Sequence, residues 1–265
     1  MSSPETTDQS VCEDVLTIRL DGNAAWLTFN RAEKRNAIND VLLAALSAFF
    51  ADIPEGVRVV VLRGAGGHFS SGLDLAEQSE RKAEDVLRHS RGWHAVMDLI
   101  QFSGIPVVSL LEGAVMGGGL EIAASTHVRI AEPSALYRLP EGKRGIFVGG
   151  GATVRLGRII GPDRMTEMML TGRTYDAGQG QELGLSHYLV EAGQGEETAR
   201  ELASEIAANA SLVNYLIIQS IARINDMARS DGLYAESLSA ALSQSGPDAK
   251  EGLRAFLEKR KPRFS

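Results

Sequence analysis

The stretch from residue 107 to 158 constrains this chain most. An apolar run, Val107-Val108-Ser109-Leu110-Leu111, reads as a buried strand. It leads to Gly117-Gly118-Gly119-Leu120-Glu121 and then into a helical pattern. A strand that feeds a helix through glycines offers the unpaired N–H groups and partial positive charge of the helix start. Glycine lets a ligand approach that backbone closely. The combination suits a developing oxyanion, with a titratable carboxylate one turn away.

A second carboxylate follows in Leu139-Pro140-Glu141-Gly142-Lys143-Arg144-Gly145, ahead of Gly149-Gly150-Gly151. Glycines on both sides predict a loop there, and a helix from about Gly151. Either glutamate alone is compatible with a helix cap or a surface turn. The spacing of both with three glycine clusters is far more specific.

The rest of the chain alternates strand and helix. Residues 15 to 18 and 24 to 29 flank Asp21-Gly22-Asn23, a hairpin signal. Asn39 is placed to cap a helix over 40 to 53, striped by Leu42, Leu43, Leu46, Phe49 and Phe50. Residues 57 to 63 read as a buried strand, 77 to 88 as a charged, mobile segment, 89 to 102 as a helix and 128 to 131 as a strand. Crossovers of these lengths predict repeated ββα units with partly parallel sheets. From residue 163 the pattern is helical: 163 to 170, 196 to 210, 212 to 229, 233 to 243 and 249 to 259. Apolar faces at Leu212, Leu216, Ile217, Ile221 and Ile224 predict an assembly surface. The expected organisation is a tail over 1–11, a core over 12–200 and a helical assembly region over 201–265.

At 265 residues the chain can bury a sizeable core. A formal net charge of -7 argues against a broad basic surface for nucleic acid. The single cysteine, Cys12, allows no internal disulfide and no cysteine zinc site, which fits a reducing, cytoplasmic setting. Residues 1 to 10 are polar and acidic, unlike a signal or transit peptide. No run reaches the roughly 18 apolar residues of a membrane span. His68, His89, His94 and His187 show no metal-ligand spacing. Ser70 and Ser71 have no base partner in the pattern, which argues against a serine triad.

The arrangement Gly-Gly-Gly-x-Glu121, then Pro140-Glu141, then a glycine-rich helix start and Arg155-Leu156, resembles the crotonase superfamily of enoyl-CoA hydratases and isomerases. The resemblance runs from about Leu16 to the C-terminus. It implies an α/β spiral of ββα units with a C-terminal helical trimerisation region, assembling as trimers or hexamers. It implies a CoA thioester as substrate, with no further cofactor and no metal. Glu121 and Glu141 coincide with the pair that hydratases of the family use on one water molecule. Backbone N–H groups of Leu73, in Ser71-Gly72-Leu73-Asp74, and of Gly118 match the family's oxyanion donors. Arg35, Ala37, Ser71, Leu75 and Lys259 match its CoA contacts, Lys259 from a neighbouring subunit.

Two positions depart from the family pattern. Ala76 stands where many hydratases carry lysine, and His127 where aspartate is frequent. His127 at a helix end is expected to be structural, stabilised by the helix C-terminal dipole. The segments around Thr126-His127 and 137 to 151 resemble the branch containing methylthioacryloyl-CoA hydratase, an enzyme of dimethylsulfoniopropionate breakdown that yields acetaldehyde, methanethiol, CO2 and CoA. The acyl pocket is expected to be closed by side chains from 77 to 93, by Tyr137, Ile146 and Phe147, and by the C-terminal helices. A general short-chain enoyl-CoA hydratase, a CoA-thioester hydrolase and a non-catalytic RNA-binding member remain open, and the acidic balance weighs against the last.

Overall fold

The computed structural model describes residues 14–77 and 82–264. The expected tail over 1–11 lies outside them. The fold is a mixed α/β arrangement, with a mostly parallel sheet and a helical C-terminal region.

Strands β1 (Leu16–Asp21) and β2 (Ala24–Phe29) form the antiparallel hairpin read from Asp21-Gly22-Asn23, with Gly22 at φ 59°. Asn39 caps α1 (Asp40–Ala51), its side chain accepting from the Leu42 N–H. Strand β3 (Val59–Gly64) pairs parallel to β2. Helix α2 (Ala83–Phe102) starts six residues before the expected 89, so the charged segment is not wholly mobile. Glu84 and Asp85 occupy its first turn, where the helix dipole favours them, and both pair with Arg88. Residues 78 to 81 lie outside the described set.

Strand β4 (Val107–Leu111) joins β3, and β5 (Ala114–Met116) runs into α3 (Gly118–Ser125). Strand β6 (Val128–Ala131) extends the large sheet, while β7 (Leu136–Arg138) pairs with β5 in a separate two-stranded one. Helices α4 (Ala152–Ile160), α5 (Pro162–Thr171) and α6 (Ala177–Glu182) follow, then β8 (Tyr188–Leu189). The large sheet has the order β1-β2-β3-β4-β6-β8. Only its first pair is antiparallel.

The two faces of this sheet bury different partners, as a period of two requires. Leu27, Phe29, Val60 and Leu62 face the main core with Leu42, Leu46, Met97 and Ile100. Trp26, Val59, Val61, Val108, Leu110 and Ile130 face Ala199 and Ala203 of α7 (Gly195–Ala207). Burying a side chain of this size stabilises by about 1.5–3 kcal/mol. The two faces together fix the strand ends that carry the loops described next.

The chain ends in α8 (Ser211–Ile224), α9 (Arg229–Gln244) and α10 (Pro247–Leu257). In the single chain Ile217, Ile221, Leu238, Leu242 and Phe256 are exposed. No helix among the described residues is long and apolar enough to cross a membrane.

Candidate active site

Gly117 makes the turn from β5 into α3 with φ 51° and ψ -124°, a conformation open essentially to glycine alone. The turn leaves the N–H of Gly118 at the helix start. Leu73 reaches the same place from the other side. Residues 72 to 74 form a parallel bridge with Ile38, in which Gly72 C=O accepts from Ile38 N–H and Asp74 N–H donates to Ile38 C=O. Backbone groups alternate along such a bridge, so Leu73 N–H points the opposite way. A Cβ built on Gly118 would lie 3.4 Å from the Leu73 nitrogen. Neither N–H is donated to another acceptor among the described residues. Two adjacent backbone donors, one at a helix N-terminus, form a site suited to an oxyanion.

The donors open into a cavity of about 240 Å³ that also holds Glu121 and Glu141. Both carboxylates are buried, at 4% and 7% exposure. Burial raises both above the usual glutamate range. Their surroundings differ. Glu121 Oε1 accepts from the N–H groups of Gly150 at 2.8 Å and Ala152 at 3.0 Å, at the start of α4. Those bonds and the charge of Arg155 oppose the effect of burial. Arg155 is itself anchored to Asp98 at 2.5 Å and Gln101 at 2.7 Å.

Glu141 stands in a short 3-10 turn, Glu141–Arg144. Its Oε2 is buried with no partner among the described residues. Burial, reinforced by the charge of Glu121, pushes it up to about 7. The fixed donors favour the ionised form of Glu121, and the unpartnered oxygen favours the protonated form of Glu141. Two carboxyl groups of unequal surroundings facing a single cavity suit proton transfer in two directions.

Ser71, Leu73, Leu75, Gly118, Glu121 and Glu141 all line this cavity. Arg35 and Ala37 sit in the adjoining loop, Arg35 exposed at φ 49° and Ala37 buried at 7% exposure. Lys259, at φ 53° beyond α10, does not line the cavity in the single chain. The expected pocket wall needs correction. Val86, His89, Ser90, Trp93, Ile146 and Phe147 line it, but Tyr137 is at 0% exposure inside the core, and the C-terminal helices contribute nothing from the same chain. The two-residue alternation of β7 turns Tyr137 inward.

Four further residues near the site have roles that the structure defines. Trp93, at 4% exposure, fills the space beside Gly118 and Gly150. Ser90 donates to Gly149 C=O at 2.7 Å and so ties α2 to the loop that holds Glu121. His127 lies outside the cavity. Its Nδ1 accepts from Val107 N–H at 2.9 Å and its Nε2 faces Gln101 C=O at 3.0 Å. Burial holds its pKa down at about 4. It is therefore a neutral bridge between elements, not a cation on a helix dipole. The hydroxyl of Ser70 donates to Asn36 C=O at 2.7 Å, a structural bond.

Comparison with known proteins agrees with this geometry. An enoyl-CoA hydratase of Mycobacterium tuberculosis is 32% identical over 248 residues, covering 92% of this chain and 93% of that protein. A short-chain-enoyl-CoA hydratase of Clostridium acetobutylicum is 31% identical over 244 residues, 91% of this chain and 94% of the relative. Among solved structures, a putative enoyl-CoA hydratase from Rhodopseudomonas palustris superposes with a TM-score of 0.90 at 49% identity, over 92% of this chain and 95% of that one. Residues 20–265 match the enoyl-CoA hydratase/isomerase family, and the chain belongs to that family.

Proposed function

We propose that the protein is a hydro-lyase that adds water across the C2=C3 bond of an enoyl-CoA. The observation that carries this reading is the unequal pair, Glu121 held by two backbone donors and Glu141 buried with an unpartnered oxygen, facing one cavity beside two backbone N–H groups. The thioester oxygen binds between Leu73 N–H and Gly118 N–H. Ionised Glu121 takes a proton from a water molecule as its oxygen bonds to C3. The C2=C3 electrons shift toward the thioester, and the two N–H groups stabilise the resulting enolate. Glu141 gives its proton to C2, so hydroxyl ends on C3 and hydrogen on C2. Losing one oxyanion donor in such a site typically costs about 3 kcal/mol.

The CoA moiety extends along Ser71, Leu75 and the loop of Arg35 and Ala37. Lys259 acts from a neighbouring subunit in a trimer or a dimer of trimers. The exposed apolar residues of α8 to α10 support such assembly. A cytoplasmic location fits the lone cysteine. For the acyl group we favour methylthioacryloyl-CoA, on the resemblance of segment 137 to 151. A general short-chain enoyl-CoA is the second reading, supported by the Clostridium relative's name.

The test is an assay of purified protein with crotonyl-CoA and methylthioacryloyl-CoA in parallel, following loss of the enoyl chromophore and release of free thiol. Chromophore loss on both, with higher kcat/KM for the methylthio substrate, is the expected result. Thiol release with an intact double bond would make the protein a thioester hydrolase instead. A monomeric mass by light scattering at micromolar concentration would exclude the trimer.

A further inference from the structure

Among the described residues Asp74 is as buried a carboxylate as Glu121, at 4% exposure, yet it does not line the cavity. It follows the oxyanion donor Leu73 directly. Arg31 Nη2 bonds its Oδ2 at 2.8 Å and Lys34 Nζ bonds the same oxygen at 3.0 Å. The other oxygen, Oδ1, accepts from Ala76 N–H at 3.2 Å. Arg31 also bonds Ala37 C=O. The three charged groups thus tie residues 31 to 37 to residues 73 to 76.

Neutral bonds reinforce the tie. Ser71 N–H donates to Arg35 C=O at 2.9 Å, and its hydroxyl to Lys34 C=O at 3.1 Å. Ile38 N–H donates to Gly72 C=O at 2.8 Å, and Asp74 N–H returns to Ile38 C=O at 2.9 Å. The 31 to 37 loop is itself bent hard, with Arg35 and Asn36 both at positive φ. Asn36, at 0% exposure, holds that bend by accepting from Arg31 N–H at 2.9 Å and donating to Ala65 C=O at 2.8 Å and His68 C=O at 2.6 Å. A loop so constrained moves as a unit with its partner or not at all.

We propose that Asp74, through Arg31 and Lys34, is a positioning residue that couples occupancy of the 31 to 37 loop by the nucleotide end of CoA to placement of the Leu73 N–H on the thioester oxygen. The coupling rests on the enoyl-CoA reading above. Distant, unreacting parts of a substrate contribute to rate when their binding energy fixes the reacting geometry. The ion triad is the physical link through which they do so here. A buried carboxylate deprived of its charge leaves two cations unbalanced, so the two loops lose their fixed separation. Misplacement of a donor by about 1 Å is enough to cost roughly 10²-fold in rate.

The test compares crotonyl-CoA with crotonyl-pantetheine, which lacks the nucleotide, in the wild type and in Asp74→Asn. In the wild type, truncation lowers kcat as well as raising KM. In Asp74→Asn, kcat on crotonyl-CoA falls by about tenfold or more, short of the 10²–10³-fold for removing an oxyanion donor outright. On crotonyl-pantetheine the same substitution costs little, so the advantage of CoA in kcat largely disappears. Lys34→Gln, at a half-exposed side chain, shows the same pattern more weakly and serves if Asp74→Asn does not fold. Equal fold losses on both substrates, in protein of unchanged Tm, would overturn the coupling and leave Asp74 as an ordinary structural ion pair. No loss on either substrate would overturn it as well. A second readout separates this outcome from failure of the hydratase reading: the infrared carbonyl band of bound butyryl-CoA. If the wild type does not hydrate, that band still shifts further for butyryl-CoA than for butyryl-pantetheine, and Asp74→Asn abolishes the difference. An equal shift for both thioesters in the wild type would overturn the coupling without reference to turnover.

Discussion

A Cβ added to Gly117 would stand 2.6 Å from Oε1 of Glu141, so the turn that presents one oxyanion donor also forms the wall against which the second carboxylate rests. Gly117→Ala therefore strains the backbone and displaces Glu141 at once. Gly145→Ala is the matched comparison. Its φ of 70° is also left-handed, but a Cβ there meets nothing within 4 Å. Gly145→Ala is expected to cost about 1 kcal/mol of stability with activity nearly kept. Gly117→Ala is expected to cost about 1–3 kcal/mol and to lower kcat by at least tenfold. Thermal unfolding and hydration kinetics on the pair read this directly, and equal activity losses would show that the Glu141 contact has no functional weight.

The protonation of Glu141 makes a pH prediction. Its pKa is raised from 4.5 to about 7 in the fold. A group raised in this way stabilises the fold below its unfolded value and loses that contribution as pH rises through 7. Glu141→Gln is accordingly expected to raise Tm relative to wild type at pH 8 and to make little difference at pH 4.5. An upper bound on the gain is about 3 kcal/mol, at about 1.4 kcal/mol per unit. In the wild type, kcat/KM for hydration falls as pH rises through about 7, because the acid that protonates C2 is lost. A flat profile from pH 6 to 8.5 would contradict the assignment of Glu141 as the acid.

His127 and His187 both weaken the fold on the acid side, since burial holds the pKa of each down at about 4; the test is made on His127. Its pKa falls from 6.5 unfolded to about 4 in the fold. The fold therefore binds fewer protons than the unfolded chain, and stability declines as pH drops from 6.5 toward 4. The decline has an upper bound of about 3 kcal/mol from this residue. Denaturant unfolding at half-unit pH steps gives the slope. His127→Gln should reduce it by nearly one proton, at the expense of some stability at neutral pH through the bond to Val107. An unchanged slope would mean the histidine titrates freely in the fold.

Those residues also show what the sequence could and could not tell. Glu121 and Glu141 were legible because glycines bracket them, and glycine spacing is local. The β1–β2 hairpin was legible from Asp21-Gly22-Asn23 for the same reason. The start of α2 departs from the expected residue 89 because Glu84, Asp85 and Arg88 form a charged face that resembles solvent-exposed loop. Strands β5 and β7 are three residues each, too short for an alternation to register. The Arg31–Asp74 pair joins residues 43 apart, and the protonation difference between the glutamates depends on N–H groups 29 and 31 residues from Glu121. Neither leaves a trace in a window of sequence. Tyr137 is expected in the pocket because it precedes Glu141, Ile146 and Phe147 on one segment, and strand alternation puts it in the core.

The last prediction separates shared from independent action of the two carboxylates. Glu121→Gln keeps the size of the side chain and an oxygen able to accept from Gly150 and Ala152, but it removes the base. Glu141→Gln replaces the acid with an amide that cannot deliver a proton. General acid–base groups typically contribute about 10²–10⁴-fold, so each substitution is expected to lower kcat by that order. Leu73 and Gly118 supply backbone donors that neither change touches, so binding of an unreactive CoA thioester and polarisation of its carbonyl should persist. If both residues act on one water in one proton relay, removing the second after the first costs little. The double variant should then fall far short of the product of the singles. The measurements are kcat for hydration in the three variants, with a dissociation constant for butyryl-CoA in each. Multiplicative losses would mean two independent proton transfers, and near-normal hydration in either single variant would make that glutamate structural.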